Sequence, residues 1–215
     1  MKKNPTTLLL TLAGTLGLTL SAMGAPIVLD DDADRDFAAG PHVTTNGFSS
    51  HDNGGWGVGT QFFNQTVAYN GDGANHNGGS PAPATATYTL DASLGVVAGQ
   101  TYNVYATWTQ NGQGNAGPAT YTVSDGLGDV VVDQKLAVAD DLRVADPFDG
   151  EEKKFQLLGQ VVEDGDGIIT ITLTADGSNF VLADAVALDS VPEPASAALL
   201  GLGGLALMLL RRRQR

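Results

Sequence analysis

The sequence predicts an all-β fold, a single antiparallel β-sandwich of jelly-roll-like type. Three observations point there. From Ala84 onward apolar and polar residues alternate with the strand period, which lines one face of a strand rather than one stripe of a helix. Turn signals rich in glycine recur between these short runs. No stretch of the body offers three turns of helical periodicity, so nothing is available to cover a parallel sheet.

Taken in order, Ile27, Val28 and Leu29 form a short strand that runs into the acidic stretch 30–36. From 40 to 83 the chain is rich in Gly, Asn, Ser and Thr, with Trp56, Phe62, Phe63 and Tyr69 scattered through it. Turns at 54–57 and 70–73 leave strands expected at 56–62 and 66–69, and 75–83 reads as a loop. Residues 84–90 alternate, and Ala98-Gly99-Gln100 is a turn. The clearest strand is 101–109, with Tyr102, Val104, Ala106 and Trp108 on one face and Asn103, Tyr105, Thr107 and Thr109 on the other. That parity makes Trp108 a core residue. Beyond a glycine-rich loop at 111–118, strands are expected at 119–123 and 129–134, then a long acidic connection over 135–152. Strands at 155–162 and 168–174 flank the hairpin turn 163–167, where Asp-Gly tolerates positive φ. The last strand, 179–188, is apolar on both faces and so buried on both sides. It carries Asp184 into the interior, where a carboxylate must be paired or hydrogen-bonded. Backbone N–H groups of a neighbouring loop are the expected partners, with Arg35 or Arg143 as the alternative, which makes Asp184 a structural anchor.

The chain of 215 residues carries a net charge of −13. Its two ends hold six positive charges (Lys2, Lys3 and four arginines) and Glu193, so the body between them is near −18. A body this acidic excludes electrostatic binding of nucleic acid or anionic lipid. There is no cysteine, which excludes disulfides, thiolate metal sites and a cysteine nucleophile. The body, residues 25–190, has the size of one ordinary domain.

Both ends read as export signals. Met1-Lys2-Lys3 is a basic start, residues 8–20 form a short apolar core, and Ala22-Met23-Gly24 places small residues where signal peptidase reads. Residues 1–24 are thus a signal peptide, and the mature chain begins at Ala25. At the other end stands Val191-Pro192-Glu193-Pro194, an extended stop that neither a strand nor a helix can continue. An apolar segment follows at 195–210, whose helix would span roughly 24 Å, a little short of a ~30 Å hydrocarbon core. Arg211, Arg212, Arg213 and Arg215 then hold the end on the cytoplasmic side. This order of parts, over residues 191–215, resembles the PEP-CTERM sorting signal of Gram-negative bacteria. The resemblance implies one transmembrane helix that parks the protein transiently in the inner membrane. It also implies an exosortase that cuts near Pro192, Glu193 and Pro194, followed by release or attachment at the cell surface.

The body has its own resemblance. Tyr102, Val104, Tyr105 and Trp108, then 119–123, then Val132-Asp133-Gln134, Leu158-Gly159 and Ala183-Asp184-Ala185-Val186 follow the order of the golvesin C-terminal-like domain. That domain is also called the Xly carbohydrate-binding-like domain. Trp56 and Tyr69-Asn70-Gly71 match its front half more loosely, and 135–152 is longer here. The resemblance implies a sandwich found beside polysaccharide-degrading or surface modules.

Functional residues follow from chemistry. A sugar site sets aromatic faces against sugar C–H groups, with amides and carboxylates bonding the hydroxyls. Trp56, Tyr69, Asn103, Tyr105 and Asn111 are the candidates, and Trp56 could equally fill core. Asp30, Asp32 and Asp34 lie in a run of five aspartates that would suit calcium. The run fails the EF-hand template, with Arg35 where glycine is required and Pro41 where glutamate is required, so a solvated acidic loop is the ordinary reading. His42, His51 and His76 match no zinc spacing. Ser49-Ser50-His51 lacks the strand–turn–helix context of a nucleophile elbow. The reading is therefore an exported, non-catalytic module that binds or organises extracellular polysaccharide, with exosortase and signal peptidase as partners during export. A secreted glycosidase or lyase, or a purely structural surface protein, is the alternative.

Overall fold

A computed structural model describes residues 24–30, 41–51, 67–70, 82–108, 117–147 and 150–192, with the backbone alone at 49–51 and 67–70. The signal peptide up to residue 23, the segment 195–210, the strand expected at 56–62, and Trp56, Asn111, Asp32 and Asp34 lie outside these residues, as do Glu193, Pro194 and the terminal arginines.

The described residues contain no helix. Thirteen strands run in chain order as β1 Ile27–Leu29, β2 Val43–Asn46, β3 Phe48–His51, β4 Val67–Asn70, β5 Pro83–Asp91, β6 Thr101–Ala106, β7 Pro118–Val123, β8 Gly128–Asp133, β9 Leu142–Ala145, β10 Glu152–Val162, β11 Ile168–Asp176, β12 Leu182–Ala183 and β13 Val186–Ser190. They form two five-stranded antiparallel sheets, ordered β1-β13-β6-β10-β9 and β2-β5-β11-β7-β8, with a smaller sheet β12-β4-β3 beside them. The fold is an antiparallel β-sandwich.

The alternation in sequence is what joins the layers. Ala86, Tyr88 and Leu90 of β5, Ile169, Ile171 and Leu173 of β11, and Tyr121 and Val123 of β7 point inward from one sheet. Tyr102, Val104 and Ala106 of β6, Val161 of β10 and Leu188 of β13 meet them from the other. Each large apolar side chain so enclosed stabilises the fold by about 1.5–3 kcal/mol over leaving it in water. Two connections, β5 to β6 and β10 to β11, tie the sheets together at one end. The second is the expected tight turn, with Gly165 and Gly167 at φ of 108° and 77°.

Four elements differ from the sequence reading. The strand expected at 101–109 ends at Ala106. There Thr107 N–H bonds the Ala185 carbonyl at 3.0 Å and the side chain of Thr107 bonds Lys154 O at 2.8 Å, so the chain leaves the ladder before Trp108. The connection 135–152 holds an edge strand, β9, paired with the start of β10 from Phe155↔Leu142 to Glu152↔Ala145. Polar side chains masked its short alternation of Leu142 and Val144. The strand expected at 179–188 is broken, since β12 pairs with β4 whereas β13 runs between β1 and β6. Asp184 and Ala185 span the crossing between the two sheets. Strands β2 and β3 lie in the Gly-, Asn-, Ser- and Thr-rich stretch at positions where the sequence predicts no strand, and pairing of β2 with β5 overrides that weak propensity.

Candidate functional site

Register, rather than sequence spacing, assembles a polar row on the outer face of the first sheet. Asn103 of β6 lies opposite Asp189 of β13 on one side and Gln160 of β10 on the other. Gln160 Nε2 donates to Asn103 Oδ1 at 3.1 Å, and Gln160 is exposed to solvent. The phenol of Tyr105 stands next on the same face. Partial burial holds the Asp189 carboxyl above its ordinary value. The row therefore offers two amides and a carboxylate across three adjacent strands, a set that can donate to and accept from vicinal hydroxyls.

The expected sugar platform at Tyr105 is corrected. Its ring is only 6% exposed and packs with Phe155, Ala185 and Ala187, with Val28, Leu142 and Val144 against them. The edge strand β9 brings two of these residues, so apolar side chains fill the outer face here and leave no open ring face. Burial, then the Asp189 charge, pushes the phenol upward. Asn103 remains half-exposed. The backbone of Tyr69 pairs with Leu182 and Ser49 in the small sheet, away from Asn103 in topology. Asp30, at the end of β1, is buried. Trp108 is buried in the main core and its indole N–H donates to Leu136 O at 3.1 Å.

Asp184 is buried beside a second polar group that periodicity alone does not reveal. Gln134 is fully buried, its Nε2 donating to Leu182 O at 2.8 Å and its Oε1 accepting from Leu182 N–H at 2.8 Å. The side-chain amide thus takes the place of a neighbouring strand for β12. The Tyr88 hydroxyl donates to the Asp184 carbonyl at 2.8 Å. The Tyr121 phenol is pushed far up, by burial first and by the Asp184 charge as well, against the bond from Gln134. Arg143 takes no part: it pairs with Asp140 and Glu152 at the surface, and Arg35 lies outside the described residues. The only sequence signal for Gln134 was its place in the Val132-Asp133-Gln134 motif.

The opposite end of the sheets carries the exit to the tail. Val191 extends the β13–β6 ladder by one residue, its N–H bonding Thr101 O at 2.9 Å. Gln100 Nε2 bonds the Val191 carbonyl at 2.8 Å. Pro192 has no N–H and stops the ladder. Beside this point the Glu163 carboxylate accepts backbone N–H groups from Gly99, Gly165 and Gly167, locking the β10–β11 turn to the β5–β6 connection. Burial opposes ionisation of Glu163, but these three bonds outweigh it and hold the carboxyl below its ordinary value. Glu163, Asp164 and Asp166 bring carboxylate oxygens within 4.8 Å of one another. Both Glu163 oxygens are engaged by the turn, and Asp166 Oδ1 accepts from Ile168 N–H at 2.8 Å, so the cluster builds the turn.

The last strand of the sandwich passes directly into Pro192, and there the chain carries the signature of a C-terminal sorting signal. Residues 190–213 match the PEP-CTERM protein-sorting motif, so the protein is sorted through exosortase at the membrane and is destined for the surface or the outside. The described body is similar to part of a Paenibacillus xanthan lyase structure, with a TM-score of 0.50 and 21% identity. The likeness covers 78% of this chain and 13% of that one, and concerns the fold, in agreement with the Xly-like resemblance of the body. None of the curated proteins compared with the sequence matches it significantly.

Proposed function

We propose that the processed protein is a non-catalytic extracellular or cell-surface module that binds exopolysaccharide through the polar row Asp189, Asn103 and Gln160. The row is the observation that carries the reading: a line of hydrogen-bonding side chains open to solvent on an exported sandwich. The fold's likeness to part of a xanthan lyase supports a polysaccharide ligand. Support for binding rather than catalysis comes from carboxylates that the fold itself uses: turn amides hold Glu163, Arg143 pairs with Asp140, and Lys153 pairs with the buried Asp146. Trp56 and Tyr69 are further sugar contacts in this reading.

The test is retention of the purified mature protein on exopolysaccharide from its own strain and on xanthan. Asn103→Ala with Gln160→Ala should abolish retention and leave the melting temperature unchanged, because both side chains sit at the surface. Equal retention of wild type and variant would remove the row from the reading. Reducing-sugar release or an unsaturated, ultraviolet-absorbing product would replace it with a glycosidase or lyase. The sorting step has its own test. Pro192→Ala with Pro194→Ala should leave the chain uncut in the inner membrane.

A further inference from the structure

The sorting motif begins inside the fold. Its match starts at residue 190, yet Ser190 belongs to β13 and Val191 is bonded on both its N–H and its carbonyl. From Val191 to Ala195, where the apolar segment starts, there are four Cα steps, a reach of about 14 Å when fully extended. The end of the sandwich that holds Val191 is thereby held within that distance of the membrane. Anything that grips Pro192, Glu193 and Pro194 must accommodate the folded domain directly above.

That end is well defined. Thr101 has Val191 on one side and Val162 on the other. Gln100 N–H bonds Val97 O at 3.2 Å, and Gln100 O accepts from Glu163 N–H at 3.0 Å. The connection 96–100 and the turn 163–167 therefore form one hydrogen-bonded cap around the exit. The chain also enters here, since Ile27 at the start of β1 lies opposite Leu188. On this cap Val97 and Val162 are each 59% exposed, beside the acidic Asp164 and Asp166. Apolar side chains so open, next to carboxylates and at the point of tethering, fit a partner surface that is apolar with cationic groups at its rim.

We propose that this cap is the surface by which the folded domain docks on the exosortase while the tail is being processed. The inference rests on the sorting reading and adds to it a contact with the body of the protein. Gln100 and the Thr101–Val191 bond fix the direction in which the motif leaves, so the enzyme meets the domain always by the same end.

The chain has no cysteine, so single cysteines report position cleanly. The full chain would carry Val97→Cys or Val162→Cys on the cap. Leu136→Cys or Val131→Cys would be controls on equally exposed valine or leucine sites, at 63% and 64%, away from it. Each is expressed in spheroplasts with an epitope-tagged, catalytically inactive exosortase and treated with a thiol-to-amine cross-linker. The Val97→Cys and Val162→Cys chains should capture the tagged enzyme several-fold more than the Val131→Cys and Leu136→Cys chains, and a flexible Gly-Ser insert between Val191 and Pro192 should erase the difference. Equal capture at all four sites, or stronger capture at 131 and 136, overturns the inference. Normal processing of the same variants by active exosortase shows that each is folded and sorted. A wild-type chain left whole by active exosortase would instead overturn the sorting reading and the inference with it.

Discussion

Gln134 makes the sharpest prediction about the fold. Its side chain takes both backbone groups of Leu182, at 2.8 Å each, in a region without solvent access. Gln134→Leu keeps the volume close to native but removes both partners. One buried N–H and one buried C=O are then left bare, at about 1–3 kcal/mol each. The contact to the Tyr121 hydroxyl, at 3.5 Å, is too long to add much. Extra apolar burial by leucine offsets less than about 1 kcal/mol, one methylene's worth. The expected loss is about 2–5 kcal/mol, a large part of the ~5–15 kcal/mol that holds a typical domain. For a domain of this size that lowers the melting temperature by roughly 5–15 °C. Urea unfolding of the mature protein, followed by tryptophan fluorescence, measures it. Trp108 is a suitable reporter because its indole bonds Leu136, two residues from the substitution. The midpoint should fall with an unchanged slope. A loss below about 1 kcal/mol would mean that Leu182 finds other partners and that the amide does not hold β12.

Three further outcomes are expected. Gly117→Ala places a methyl group 2.3 Å from Asn179 Cβ, close to the backbone where nothing flexible can give way, and should cost about 1–3 kcal/mol by thermal melt. Glu163 has a lowered pKa in the fold, so its stabilising contribution is present above its ordinary value of 4.5 and is lost as pH falls through the lower folded value. Melting temperature should therefore drop as pH falls from 4.5 through the folded value, and Glu163→Gln should show a smaller drop over the same range; identical profiles would show that the turn amides do not depend on the charge. Asp184→Ala should destabilise by roughly 1–3 kcal/mol while keeping polysaccharide retention below its melting point; a variant that melts like wild type but no longer binds would place Asp184 in a ligand site.

The sequence by itself determined the class of fold, because strand periodicity and turn chemistry are local and the side-chain alternation of β5, β6 and β11 can be read residue by residue. It also determined the sorting tail, whose proline-bounded stop, apolar run and arginines are legible in composition and order. The burial of Trp108 and Asp184 was legible in their apolar sequence surroundings, although the structure ends β6 before Trp108 and places Asp184 between β12 and β13 rather than on one long strand. Only the tertiary structure decided which strands are neighbours, and with them the polar row: Asp189, Asn103 and Gln160 come from three distant segments and meet through antiparallel register alone. The burial of Tyr105 was decided the same way, since Phe155 of β10, Ala185 and Ala187 of the β12–β13 stretch, and Leu142 and Val144 of the edge strand β9 gather on its face of the sheet. Gln134 is the limiting case. Nothing in the expected strand 129–134 marks its last residue as a partner for distant backbone, and it is interior here because the chain breaks between β12 and β13 and the Leu182 N–H and C=O bond the Gln134 amide.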